Sequence, residues 1–88
     1  MTAQTTEARK QAVLARASLP VLLQSAATLE ALAAPSPAER MTRAWVFDEI
    51  ERRAGKITLD EEPEFERVYD DTGSYLAALL HMRPSLTA

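Results

Sequence analysis

The stretch FERVYDDTGSYLAALL, Phe65 to Leu80, decides the fold class. Within it Phe65, Val68, Tyr69, Thr72, Leu76, Leu79 and Leu80 follow one another at steps of three, one, three, four, three and one. At 100° per residue these positions share one stripe, the pattern of an amphipathic helix with one buried side. A half-buried strand would alternate strictly, and this stretch does not. The stripe runs through Gly73, which costs about 1 kcal/mol against alanine inside a helix. Two local forms follow: a continuous helix with Gly73 as its weak point, or a break there, with Asp71 or Thr72 capping a final short helix.

The same stretch contains Asp71-Thr72-Gly73-Ser74, the four-letter string that aspartic proteases carry at the catalytic aspartate. That chemistry needs the aspartate on a tight loop between β-strands, faced by a second aspartate and covered by a glycine-rich flap. Here the flanks are helical in period, and the chain has only two glycines, Gly55 and Gly73. The string is set aside as a site, and Asp71 reads as a solvated helix residue paired at i, i+4 with Arg67.

Working outward, Pro63 favours a helix beginning near Glu62, because the residue before proline avoids the helical region. Ile57-Thr58-Leu59 is a short connector. Before it, Ser36-Pro37-Ala38-Glu39 places serine at the N-cap, proline at the first helical position and glutamate at the third, so a helix should run from Pro37 to Ala54. Arg52 and Arg53 suit its negative end, and Gly55 can adopt the left-handed cap. Further back, Ala8, Ala12, Ala15, Leu19, Leu22, Ala26, Leu29 and Ala33 recur at alternating spacings of four and three. Pro20 interrupts that run, which is therefore kinked or split there, with Ser18 available to cap a second helix. Pro84 closes the last helix. The expectation is all-α: a small three- or four-helix bundle forming a single helical domain over 1–88, with 1–6 disordered and 84–88 a frayed tail.

Composition narrows the class. At 88 residues and 9.7 kDa the chain can bury only a small core, so self-association or a partner is expected. The absence of cysteine excludes disulfides and thiolate metal sites, and makes the cytoplasm the expected compartment. No run reaches the roughly 18 apolar residues of a membrane helix, and MTAQTTEARK lacks the charged-then-apolar order of a signal peptide. Arginine in excess of lysine, with abundant alanine, resembles the usage of a high-GC bacterium or its phages.

The net charge of −3 conceals an asymmetry. Asp60 to Asp71 carries seven acids against Arg67 alone, while the chain before it is slightly basic. On the helical wheel Glu66, Asp70 and Asp71 fall opposite the apolar stripe, and no calcium-loop or other metal spacing is present, so no metal or cofactor is expected. The helix 37–54 is apolar on two sides: Val46, Phe47, Ile50 and Ala54 share one face, with Met41 and Trp45 almost opposite beside Glu49 and Arg52. Tryptophan and methionine are common interface anchors.

These features lead to a non-catalytic helical interaction module, a regulator, inhibitor or adaptor in a bacterium or phage. It would bind another protein or a second copy of itself through Met41, Trp45, Arg52, Glu62, Glu66 and Asp70. The rival is a dimeric helix-turn-helix DNA binder using Arg40, Arg43, Arg52 and Arg53. A pI of about 5.1 counts against nucleic acid.

Overall fold

In the computed structural model, which describes residues 5–87, the Phe65–Leu80 stripe is broken at Gly73. Helix α4, Glu62–Thr72, ends where Gly73 turns left-handed (φ 69°) and donates its N–H to the Tyr69 carbonyl, and α5, Tyr75–Met82, begins two residues later. Ser74 Oγ accepts from the Ala77 N–H, and Thr72 Oγ1 accepts from the Ser74 N–H while donating to the Val68 carbonyl. The second of the two local forms is thus the one adopted, but Ser74 is the N-cap, in place of Asp71 or Thr72. A left-handed residue satisfies the last carbonyls of α4, and a hydroxyl one residue on satisfies the first N–H groups of α5.

Three helices precede these: α1 Thr6–Arg16, α2 Leu19–Glu30 and α3 Pro37–Ala54. Among the described residues there is no strand, so the all-α expectation holds, with five α-helices where three or four were expected. Both extra ends come from splits at the residues already singled out, Pro20 and Gly73. At the first, Ala17 and Ser18 are extended and Ser18 Oγ accepts from the Val21 N–H. Pro20 lies in the first turn of α2, where its missing N–H would have had no partner within the helix. Thr5 caps α1 and Thr6 is already helical. The disorder expected over 1–6 therefore does not extend to these two residues, and 1–4 lie outside the described ones.

The boundary at α3 follows the sequence closely. Ser36 Oγ accepts from the Glu39 N–H at 3.1 Å, and the Ser36 N–H donates to Glu39 Oε1 at 2.8 Å, a reciprocal capping box. Gly55 has φ 100° immediately after the last residue of α3. At the other end of the chain Pro84–Thr87, expected as a frayed tail, forms a 3-10 turn with Leu86 buried. Burying an apolar side chain favours order in a segment that proline alone would have released.

The chain divides into two compact units, Met1–Ile50 and Glu51–Ala88. In the first, Leu22 and Ala26 of α2 and Val46, Phe47 and Ile50 of α3 are buried. Helix α1 has no buried residue and Val13 is 67% exposed. The long alanine-leucine repeat is interrupted in phase by the extended pair Ala17–Ser18, and only Leu22 and Ala26 of that repeat are buried. In the second unit α4 packs along α5, and Ala78, Leu79 and Leu86 are buried. Among the described residues no helix is long and apolar enough to cross a membrane.

Candidate functional site

The second unit concentrates the acids, and its hydrogen bonds sort them into two groups. Glu61 belongs to a closed knot. Arg83 grips it with two nitrogens, Nη1 to Oε2 at 2.5 Å and Nη2 to Oε1 at 2.7 Å, and donates further to the carbonyls of Gly55, Lys56 and Met82. The Thr58 N–H and hydroxyl both donate to Glu61 Oε1. These donors, the paired guanidinium first, hold the Glu61 carboxyl at about 2, well below its ordinary 4.5. They also tie the connector after α3 to the end of α5. Its side chain being so engaged, Glu61 makes no side-chain cap for α4.

Along α4 itself, Arg67 neutralises two neighbours, donating to Glu64 at 2.6 Å and to Asp71 at 3.1 Å. The i, i+4 pairing of Arg67 with Asp71 is as the spacing implies. His81 Nε2 lies 3.7 Å from Glu64. What remains is Asp60, ahead of α4, and Glu62, Glu66 and Asp70, all exposed, the last three four residues apart and in one row. At 1.5 Å rise per residue the row is about 12 Å long.

Beside the start of this row is a cleft of about 320 Å³. Ile57, Phe65 and Tyr75 form its apolar wall, while Glu51, Glu62 and Glu66 bring carboxylates to it, with Lys56 as the cation among the described lining residues. The rings of Phe65 and Tyr75 meet edge to face at 5.0 Å, and Tyr69, 43% exposed, meets Tyr75 the same way at 6.4 Å. The Tyr75 hydroxyl donates to Glu51 Oε1 at 2.5 Å, and Glu51 is only 8% exposed.

The placement of Glu66 corrects one expectation from the wheel. It does not stand opposite the apolar side; it lines the same cleft as Phe65. The reason is the break at Gly73, which brings in Tyr75 at the first position of α5 and extends the aromatic wall toward the acids. Tyr75, Glu51, Ile57 and Lys56 did not figure among the expected site residues. The available signal was Ser74 following Gly73: read as a stop and a new N-cap, that pair starts a helix at Tyr75.

In the first unit the two-sided α3 is resolved only in part. Val46, Phe47 and Ile50 are buried, Trp45 is half-buried, and Met41 stays 55% exposed. A separate groove of about 440 Å³ opens in this unit, walled chiefly by Leu14, Val21, Leu29 and Val46. Arg40, Arg52 and Arg53 are exposed and Arg43 is half-buried. At 100° per residue these four arginines spread over roughly two-thirds of the circumference of α3, so they make no single basic strip. The linker between α2 and α3 runs from 31 to 36, longer than the three- to four-residue turn of a helix-turn-helix. Among the described residues no group of three or more histidine, cysteine, aspartate or glutamate side chains could hold a metal ion.

Comparison with protein-family models, curated proteins and solved structures found no match. The chemistry of the side chains is therefore the sole guide to what this surface does.

Proposed function

We propose that the protein is a small non-catalytic docking module that acts on another protein as a regulator, inhibitor or adaptor. The partner presents a basic segment to the row Glu62, Glu66 and Asp70. The observation that carries this reading is the sorting of charge in the second unit: Arg83 satisfies Glu61 and Arg67 satisfies Glu64 and Asp71, while among the described residues no such cation meets the three acids of the row. Unpaired, same-sign charges on one rigid helix repel each other at some cost to the fold. They also steer and orient a cationic surface, raising the rate of encounter more than the final affinity. Met41 and Trp45 offer an apolar contact on α3, with Arg52 further along the same helix. The arrangement of the arginines gives no comparable support to DNA binding.

The test is affinity capture from the native host, with the mass of the purified species measured in parallel. A triple charge reversal, Glu62→Lys with Glu66→Lys and Asp70→Lys, should keep the helical circular dichroism and lose the partner captured by the unaltered chain. Equal recovery of the same partner by the reversed chain would overturn the reading.

A further inference from the structure

We propose that the cleft beside α4 receives one arginine or lysine side chain of the partner's basic segment. This rests on the docking reading of the row and names what its deepest point takes. The cleft combines two things a long cationic side chain requires. Ile57 and the faces and edges of Phe65 and Tyr75 provide an apolar channel for the methylene stem and a ring surface for the charged head. Glu62 and Glu66 stand at the same opening, and Glu51, 8% exposed, lies behind with its Oε1 oriented by the Tyr75 hydroxyl.

Charge complementarity decides the occupant. Among the described residues three carboxylates line the cleft against one cation, Lys56, so an anionic ligand, including a phosphate or an acidic lipid headgroup, meets repulsion. An uncharged apolar group would cover Glu51 without neutralising it, which is unfavourable for a buried carboxylate. The Arg83 guanidinium, its basicity raised first by its hydrogen bonds to Glu61 and least by the charge of Glu51, donates to Glu61 and to three backbone carbonyls and is not available to fill this role. A peptide segment fits better than a small free cation because the acids do not end at the cleft. Glu66 and Asp70 continue the row for two further helical turns from Glu62, with Tyr69 exposed beside them, and so can engage several residues of an extended basic chain.

The experiment uses the full chain and three probes: a blocked hexapeptide alternating arginine with glycine, the matching glutamate-glycine peptide, and N-acetylarginine amide. Binding is followed by amide and aromatic chemical shifts at physiological salt. The arginine peptide should shift Phe65, Glu66 and Tyr75 in a saturable manner and bind more tightly than N-acetylarginine amide, with no response to the glutamate peptide. The double variant Glu62→Gln with Glu66→Gln should weaken the arginine peptide by about tenfold, and Phe65→Leu, which keeps an apolar wall but removes a ring, by roughly threefold. Asp71→Asn, outside the cleft and paired with Arg67, should change affinity less than about twofold. Equal loss in Asp71→Asn and the double variant would show diffuse attraction to the acidic unit and overturn the proposal. So would N-acetylarginine amide binding as tightly as the peptide, or shifts centred away from Tyr75. If the double variant still captures the native partner while the triple reversal does not, the cleft assignment fails and the docking reading stands. If the peptide titration behaves as expected but the triple reversal captures the same partner, the docking reading fails and the cleft keeps its chemistry.

Discussion

Replacing Gly73 by alanine separates the two forms open to the Phe65–Leu80 stretch, because they predict effects of opposite sign. In a continuous helix alanine would be favoured over glycine by about 1 kcal/mol. In the structure Gly73 has φ 69°, and that left-handed conformation costs an L-residue roughly 1–2 kcal/mol. Alanine also restricts the unfolded chain, which offsets roughly 0.4–1 kcal/mol of this. An added Cβ would meet nothing within 4 Å, so no steric clash enters and backbone strain acts alone. The net expectation is a destabilisation of roughly 0.5–1.5 kcal/mol, which for a chain of this size lowers the melting midpoint by several degrees, about 4–8 °C per kcal/mol. Urea unfolding of the glycine, asparagine and alanine forms, compared at equal slope, measures it. Stability should fall in the order glycine, asparagine, alanine, since asparagine tolerates the left-handed region better. An alanine variant more stable than the parent would refute the break between α4 and α5, and with it the position of Tyr75 in the cleft.

Leu79 is fully buried, so Leu79→Ala should cost about 2–5 kcal/mol in the same urea experiment, whereas Val13→Ala, at a position 67% exposed, should change stability by less than about 0.5 kcal/mol. Tyr75→Phe keeps the ring contact with Phe65 but removes the donor to the buried Glu51 carboxylate, for an expected loss of about 1–3 kcal/mol measured by thermal or urea unfolding. The Glu61 carboxyl, held at about 2 against an ordinary 4.5, is ionised in the fold and protonated in the unfolded chain between those values. Its contribution is therefore complete above about pH 4.5 and disappears as pH falls through that window toward 2. Arg83→Gln should flatten the acid limb of the stability profile there, and an unchanged limb would show that the knot does not hold this carboxyl down.

Much of this architecture is legible locally. The capping box of Ser36 and Glu39, the positive φ of Gly55, the cap at Ser18 and the start of α4 beside Pro63 all depend on residues within four positions of one another. Backbone geometry and nearby hydrogen bonds decide such features, so the chain needs no distant contact to specify them. Periodicity likewise settled that Phe65–Leu80 is helical, and charge counting found the acids.

The interactions that build the candidate site span the sequence, and no local rule reaches them. Arg83 finds Glu61 across 22 positions and Tyr75 finds Glu51 across 24. The first neutralises Glu61, one of seven acids that composition treats as equal, and the second sets a further carboxylate, Glu51, beside the Tyr75 ring. The break at Gly73 was balanced on the wheel, because the apolar stripe keeps its phase through it. Hydrophobic period reports which side of a helix is buried and is nearly blind to a change of axis that preserves that side. The sequence by itself thus determined helix type, most helix ends and the sign of the exposed charge. Tertiary packing determined which aromatic ring stands beside which carboxylate.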